Sequence, residues 1–241
     1  MAGDDKLVNC LMTPMRATGV TQKTAILFDF GGTLDSDGLP WKVRVARLFG
    51  GAGVTAGDGF DPLFYAADDA LVGTVGTDLP LRDTVERLVL PLGKALGASR
   101  DVAGGVAARF TDETLDRLHA RAALLARLAG RYRLGIVSNF YGNLERICAD
   151  AGIAPFFSAI FDSTRVGAEK PDPRIFGAAL TALDVAPADA LFVGDSLPRD
   201  MAGARGVGMA HAWLAPAPAV LACCPGDPVI RALEDLEALL S

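Results

Sequence analysis

The sequence predicts an α/β protein with a doubly wound, largely parallel sheet, helices on both faces, and a helical module inserted after the first strand. Two observations support this prediction. From residue 134 to residue 214, short apolar runs of β-favouring residues alternate with runs of helical spacing, as in parallel sheets. The first apolar run, at residues 25–28, is instead followed by residues 36–119, which show no strand pattern.

The first predicted strand, residues 25–28, ends at Asp29. A glycine-rich turn follows at once, so the run is typical of a buried parallel strand that stops abruptly. A carboxylate at the carboxyl end of such a strand lies where open α/β sheets bind their ligands. Asp29 is therefore the first candidate for a functional residue.

The inserted segment, residues 36–119, is predicted to be helical. Apolar residues recur at helical spacing in two stretches, at 81–92 and 115–128. A crossover between parallel strands needs only about a dozen residues, so a segment of this length is expected to form a module of its own. The expected organisation is a core of residues 24–35 and 120–241, with a helical cap of residues 36–119.

The second half of the chain alternates between predicted strands and helices, which is typical of a Rossmann-like sheet. Further strands are expected at residues 134–137, 159–161, 190–193 and 210–214. Helices are expected from an Asn143 cap to before Gly152, from Asp172 with a proline at the first position, across 200–205 to a stop at Gly206, and at 231–240.

The composition indicates an acidic globular protein. Of its 241 residues 51% are hydrophobic, which is enough for a packed core, and the net charge is −6 at pH 7. This charge disfavours nucleic acid and anionic membranes as partners, and no apolar run approaches the length of a membrane span. We therefore expect a cytoplasmic protein; the sequence leaves its oligomeric state open.

The amino terminus, the cysteines and the histidines carry no functional signal. Residues 1–23 lack the apolar core of a signal peptide, so we expect a flexible leader. His119 and His211 are too few and too far apart to suggest a metal site. The cysteines show no metal-ligand spacing and are expected to be reduced thiols; they are Cys10, Cys148, Cys223 and Cys224.

Three further polar motifs follow Asp29 along the chain, each near the end of a predicted strand. Two of them, at residues 138–139 and 195–200, directly follow strands that should lie beside the first one, so their side chains should meet Asp29 at one edge of the sheet. The residues concerned are Ser138 and Asn139, Lys170, and Asp195 and Asp200.

In order, spacing and strand context, the four motifs resemble those of the haloacid dehalogenase superfamily, over residues 24–214 apart from the inserted segment. The resemblance implies a Mg²⁺-dependent phosphohydrolase acting on a small phosphorylated substrate, with the inserted helices as a cap over the active site. It implies that Asp29 attacks phosphorus as a nucleophile, once its repulsion from phosphate is neutralised. Magnesium prefers oxygen ligands, and the implied set is Asp29, Asp195, the Gly31 carbonyl and, close by, Asp200.

The resemblance also implies a set of residues around the substrate phosphate. Ser138 and Lys170 would take part in catalysis, with the lysine supplying fixed positive charge as negative charge accumulates. Thr33 would support the loop or bond to the nucleophilic carboxylate. The implied phosphate-binding residues are Gly32, Thr33, Ser138, Asn139 and Lys170.

One departure from the family pattern concerns Gly31. Phosphatases of this superfamily usually carry a second Asp at this position, in a D-x-D-x-T motif, where it protonates the leaving oxygen and later activates water. General acid–base catalysis of this kind contributes about 10²–10⁴ in rate. Asp35 or Asp37, just beyond the turn, could substitute; otherwise the enzyme is slow or its substrate has a good leaving group.

Three alternatives remain open from the sequence. Gly31 is compatible with a catalytically weak or inactive relative that binds a phosphorylated ligand or a protein partner. Phosphonate hydrolases also lack the second Asp, but they need a cap lysine for a Schiff base, and Lys42 and Lys94 are the only lysines between the first two motifs. Haloacid dehalogenases work without magnesium and have no need of Asp195 and Asp200.

Overall fold

The protein is organised around a parallel sheet, described here from a computed structural model that covers residues 23–55, 57–216 and 227–241. Within these residues the sheet has six strands in the order β3-β2-β1-β4-β5-β6, and every neighbouring pair is parallel. The predicted leader as far as residue 22, together with Cys10, Cys223 and Cys224, lies outside the described residues. The strands are β1 (Ala25–Phe28), β2 (Arg133–Ser138), β3 (Ala159–Asp162), β4 (Ala190–Gly194), β5 (Ala210–Leu214) and β6 (Val229–Ile230).

The helices fall into two groups along the chain. Those of the inserted segment are α1 (Trp41–Gly51), α2 (Phe60–Asp69), α3 (Leu81–Ala95) and α4 (Arg100–Ala129). Those of the alternating part are α5 (Leu144–Asp150), α6 (Ser163–Val166), α7 (Pro173–Leu183), α8 (Ala202–Gly206) and α9 (Asp235–Leu239). Among the described residues, no helix combines the length and the apolar character that crossing a bilayer requires.

Both faces of the sheet are buried, as the doubly wound prediction requires. Alternate residues of a strand point to opposite faces, and β1 divides in this way: Ile26 and Phe28 join one hydrophobic core, Ala25 and Leu27 the other. Helices α7 and α8 cover the second core, whereas α4, α5 and α9 contribute to the first. The strand is therefore fixed from both sides, and so is the position of Asp29 at its end.

The inserted segment is helical, as predicted, but its last helix does not stop at the expected boundary. Helix α4 runs for 30 residues without interruption through residues 119 and 120. Ser99 caps its start by accepting a hydrogen bond from the Val102 amide. The division into a core and a cap of residues 36–119 stays a proposal.

The structure corrects four details of the sequence prediction. Strand β6 was not predicted, and the expected tail helix at 231–240 is helical only at 235–239. Helix α8 includes Gly206, and the left-handed residue after it is Gly208, with φ of 77°. Asn143 precedes α5 but does not cap it, because its side-chain amide donates to the Leu79 carbonyl and the Thr84 hydroxyl. Asp162 takes the capping role, since its Oδ2 accepts from the Leu144 amide at 3.3 Å.

Candidate active site

The register of the sheet brings the predicted site residues to one edge. Phe28 lies opposite Ile136 of β2 and Val193 of β4, so the chain leaves all three central strands at the same level. Ser138 is the last residue of β2, and Asp29 and Asp195 directly follow the ends of β1 and β4. A parallel sheet with β1 between β2 and β4 therefore forces these side chains together, as the sequence predicted.

Asp29 is buried and held through one of its two carboxylate oxygens. The Ser138 hydroxyl and the Lys170 ammonium both donate to Oδ1, each at 2.7 Å. Oδ2 accepts no hydrogen bond from any of the described residues. The arrangement fixes the orientation of the carboxylate and leaves one oxygen available for another partner.

Lys170 is buried between two carboxylates. Its Nζ lies 2.7 Å from Asp29 Oδ1 and 2.7 Å from Asp200 Oδ1; the second contact is an ion pair whose angle falls outside hydrogen-bond geometry. Burial alone would lower the pKa of the lysine, but the charges of Asp200 and Asp29 outweigh this effect and raise its pKa. Lys170 therefore stays protonated and supplies a fixed positive charge to the site.

Asn139 holds Lys170 in place. Its Nδ2 donates to the Lys170 carbonyl at 3.1 Å, and its Oδ1 accepts from the Lys170 amide at 2.7 Å. This two-point contact joins the loop after β2 to the loop that carries the lysine. Asn139 also lines the cavity above the site, so its place is compatible with the implied phosphate contact while its amide serves mainly to position Lys170.

Asp29, Asp195 and Asp200 form an acidic cluster that fits a hard cation. One carboxylate oxygen from each lies within 4.8 Å of the others. Burial, followed by the charges of Asp29 and Asp200, raises the pKa of Asp195 well above its usual value. A single lysine faces three carboxylates, so the cluster is short of positive charge, and a set of oxygen donors is the type that Mg²⁺ prefers.

The glycine loop packs closely against this cluster. Gly32 has φ of 95°, and a Cβ on it would lie 2.4 Å from Asp195 Oδ2, so only glycine fits this position. The Thr33 hydroxyl is 3.5 Å from Asp195 Oδ1, so it supports Asp195 rather than the carboxylate of Asp29. A Cβ on Gly194 would likewise lie 2.4 Å from Asp200.

Gly31 differs from Gly32 in its backbone dihedral angles and in the room for a side chain. Its φ of −76° and ψ of 113° suit any residue, so the positive φ that would require glycine belongs to Gly32 alone. A Cβ on Gly31 would meet the indole of Trp41 at 3.4 Å, an ordinary contact. Neither backbone strain nor a clash explains why a side chain is missing here.

Asp35 and Asp37 do not take the place of the missing carboxylate. Asp35 is buried; its Oδ1 accepts from the Gly32 amide and its Oδ2 accepts from Trp41 and Arg44. Asp37 pairs with two arginines of α4, Arg117 and Arg121. Both carboxylates line a second cavity, which Asp29 does not reach. The expectation that one of them acts as proton donor is therefore not supported by their positions.

A cavity of about 560 Å³ opens above Asp29. The sequence predicted only the part of its wall that comes from the motifs. The loop after β2 adds Phe140 and Tyr141. Both directly follow the Ser138 and Asn139 motif in the sequence, so their nearness to the site could have been predicted. The rest comes from the inserted helices and the loop after β4, for which the sequence gives no signal; these residues include Trp41, Lys42, Phe64, Tyr65, Asp68 and Arg199.

The family assignment follows from this fold and site. Residues 23–208 match the haloacid dehalogenase-like hydrolase family, and the chain belongs to that family. A crystal structure of the HAD-hydrolase YfnB from Bacillus subtilis, bound to magnesium, is similar with a TM-score of 0.58 and 24% identity. It covers 91% of this chain and 99% of that chain; at this identity the likeness shows the fold alone.

Curated relatives match part of the chain. The haloacid dehalogenase-like hydrolase domain-containing protein 3 of Bos taurus is 41% identical over 99 residues, covering 41% of this chain and 37% of the relative. The phosphoserine phosphatase of Thermus thermophilus is 42% identical over 82 residues, covering 34% of this chain and 33% of the relative. This chain thus aligns with only about a third of the length of each of these relatives.

Proposed function

We propose that the protein is a Mg²⁺-dependent phosphatase of a small phosphorylated metabolite that works through an aspartyl-phosphate on Asp29. The observation that carries the proposal is the arrangement of Asp29, with Oδ1 held by Ser138 and Lys170 and with Asp195 and Asp200 beside it. The resemblance to a phosphoserine phosphatase supports hydrolysis of a phosphate ester, although that match covers a third of either chain.

Each residue of the cluster has a task in this proposal. Asp29, Asp195 and the Gly31 carbonyl, with Asp200 beside them, would hold Mg²⁺, which would supply the positive charge that offsets the repulsion between carboxylate and phosphate. Asp29 forms the bond to phosphorus. Lys170 and Ser138, which touch Asp29 in the free protein, are placed to contact the phosphoryl oxygens as their negative charge increases.

The phosphate itself would rest against the glycine loop. Gly32 and Thr33 lie beside Asp195, and Asn139 lines the cavity. The Gly32 amide donates to Asp35 at 2.7 Å, so it would have to exchange this partner to contact a phosphate.

The test of the proposal is the substitution Asp29→Asn with an exposed carboxylate as control. Asn has the same shape but cannot attack phosphorus, so turnover should be lost while the circular dichroism spectrum of the folded protein is kept. Asp58→Asn, on an exposed turn, should keep full activity. Beryllium fluoride with Mg²⁺ should bind wild type and not Asp29→Asn. Activity of Asp29→Asn near that of wild type would exclude the covalent route.

The alternative of phosphonate hydrolysis requires a lysine in the cavity with a neutral amine. Lys42 lines the cavity above Asp29, a position that its sequence context did not reveal. Its ammonium is paired with Asp61, and this hydrogen bond raises the pKa of the lysine. A Schiff base requires a neutral amine, so the pairing works against this chemistry. Binding of phosphorylated ligands without turnover would favour the inactive relative instead.

A further inference from the structure

The cavity above Asp29 is unusually aromatic for this chain. Aromatic residues make up 7% of the sequence but five of the seventeen residues that line the cavity. They form two groups in ring contact: Phe64 with Tyr65, at 5.9 Å between centroids, and a three-ring cluster. The cluster consists of Trp41, Phe140 and Tyr141, with centroids between 4.8 and 6.3 Å apart.

The three-ring cluster borders the position of the missing carboxylate. A Cβ on Gly31 would lie 3.4 Å from Trp41 Nε1, and the indole is fixed there by its hydrogen bond to Asp35 at 2.6 Å. In the family pattern a carboxylic acid at residue 31 meets the leaving oxygen. Here a leaving group near residue 31 meets a rigid aromatic ring instead.

Tyr65 is the accessible ring of the second group. It is 49% exposed, and its face carries the Lys42 ammonium at 4.9 Å from the centroid. Phe64 beside it is buried. An aromatic ligand that enters the cavity can therefore contact the exposed part of the Tyr65 ring that Lys42 does not cover.

We propose that the leaving group of the substrate is a phenol, so that the substrate class is aryl phosphate monoesters. This inference rests on the proposed phosphatase function and deepens it. Two independent features support it: Gly31 provides no acid for the leaving oxygen, and the cavity wall beside Gly31 is aromatic. Phenols ionise at a pKa of about 10, far below alkanols, so a phenolate departs without a proton donor. Offset or edge contacts with Trp41 and Tyr65 orient the ring.

The reaction balances without an acid on the protein. A carboxylate oxygen of Asp29 forms the bond to phosphorus while the bond between phosphorus and the aryl oxygen breaks. The electron pair leaves with the phenolate, which takes a proton from solvent. Water then attacks the phosphorus of the aspartyl-phosphate, which restores the Asp29 carboxylate and releases phosphate, with the proton of water passing to the phosphate or to solvent.

Three substrates separate the effect of the missing acid at Gly31 from the effect of the aromatic cavity wall. Phenyl phosphate and benzyl phosphate carry the same ring but differ in the acidity of the leaving group, whereas acetyl phosphate has a good leaving group and no ring. With Mg²⁺, kcat/KM for phenyl phosphate should exceed that for benzyl phosphate by about 10²-fold or more. Phenyl phosphate should also have a lower KM than acetyl phosphate. Equal rates on phenyl and benzyl phosphate overturn the proposal.

Substitutions at Tyr65 test the contribution of the ring. In Tyr65→Leu the ratio of kcat/KM for phenyl over acetyl phosphate should fall roughly 2- to 10-fold, the range expected for an aromatic pair. Tyr65→Phe keeps the ring and should keep the ratio. Tyr132→Leu, a half-buried tyrosine outside the cavity, is the matched control and should also keep it. An unchanged ratio in Tyr65→Leu overturns aromatic recognition.

The same assays distinguish this inference from the proposed function. If acetyl phosphate is hydrolysed in a manner that depends on Asp29 and phenyl phosphate is not preferred, the phosphatase stands and the aryl assignment falls. If Mg²⁺ supports no turnover of any of the three substrates, the phosphatase proposal falls, and the aryl assignment falls with it.

Discussion

Introducing a carboxylate at residue 31 is the most direct test of whether the absence of an acid there limits the proposed reaction. The backbone at Gly31 suits aspartate, with φ of −76° and ψ of 113°, and the new Cβ would make an ordinary 3.4 Å contact with Trp41. The space therefore exists, and we expect Gly31→Asp to fold.

The expected gain falls on alkyl phosphates. A positioned general acid is worth about 10²–10⁴ in rate, or roughly 3–5 kcal/mol of barrier at about 1.4 kcal/mol per factor of ten. Two factors reduce this gain: the new carboxylate joins a site that already holds Asp29, Asp195 and Asp200, and Trp41 restricts its rotamers. We therefore expect kcat for benzyl phosphate to rise by about 10- to 100-fold, at or below the low end of that range. Steady-state release of phosphate with Mg²⁺ measures it.

Two control variants test whether a gain in Gly31→Asp comes from the acidic proton of the new side chain. Gly31→Asn has the same shape without an ionisable proton, so it should show no gain. Gly32→Ala should abolish activity, because its Cβ would lie 2.4 Å from Asp195 at a φ of 95°. A folded Gly31→Asp protein with no gain on alkyl phosphates would refute the reasoning. Equal wild-type rates on alkyl and aryl esters would direct the search to Asp68, a carboxyl group of the cavity wall that Tyr141 contacts.

The remaining predictions concern the second chemical step, the lysine clamp and the buried arginine. Wild type should release a burst of phenolate close to one per active site, because water attack on the aspartyl-phosphate also lacks its base; stopped-flow with 4-nitrophenyl phosphate measures it. Asn139→Ala should lower kcat about 10-fold or more and cost about 1–3 kcal/mol of stability, because Lys170 loses both backbone contacts. Arg121→Met should cost about 3 kcal/mol in urea unfolding, because it leaves the carbonyls of residues 33 and 34 without a donor and Asp37 without one of its two arginines.

Most of the fold could be predicted because its signals are local. Apolar runs bounded by glycine, and Asp172 with Pro173 at the start of α7, specify strand and helix positions within a residue or two. Strand β6 was missed because it has two residues and forms only by pairing with β5. The tail helix was predicted too long, since an amphipathic pattern does not show where packing against the sheet ends.

The convergence of the candidate site residues was predictable for a topological reason. Once β1 lies between two parallel strands, the residues after each strand must meet, whatever their separation along the chain. The partners of Asp35 were not predictable in this way, because Trp41 and Arg44 come from α1 and Thr114, the second partner of that arginine, from α4. Helical periodicity reveals which face of a helix is apolar, but it does not reveal where the helix docks.

The contacts of the glycine loop explain why the proposed reaction should depend on the leaving group. Residues 29–37 contain three carboxylates, and each already has a partner: Asp29 the lysine, Asp35 the guanidinium of Arg44, and Asp37 two arginines of α4. Burial raises the pKa of Asp35, but both of its oxygens already accept hydrogen bonds, from Gly32, Trp41 and Arg44. No side chain of the loop is therefore free to donate a proton. The leaving oxygen must depart as an anion or take its proton from solvent or from the cavity wall, and an aryl phosphate meets the first of these conditions.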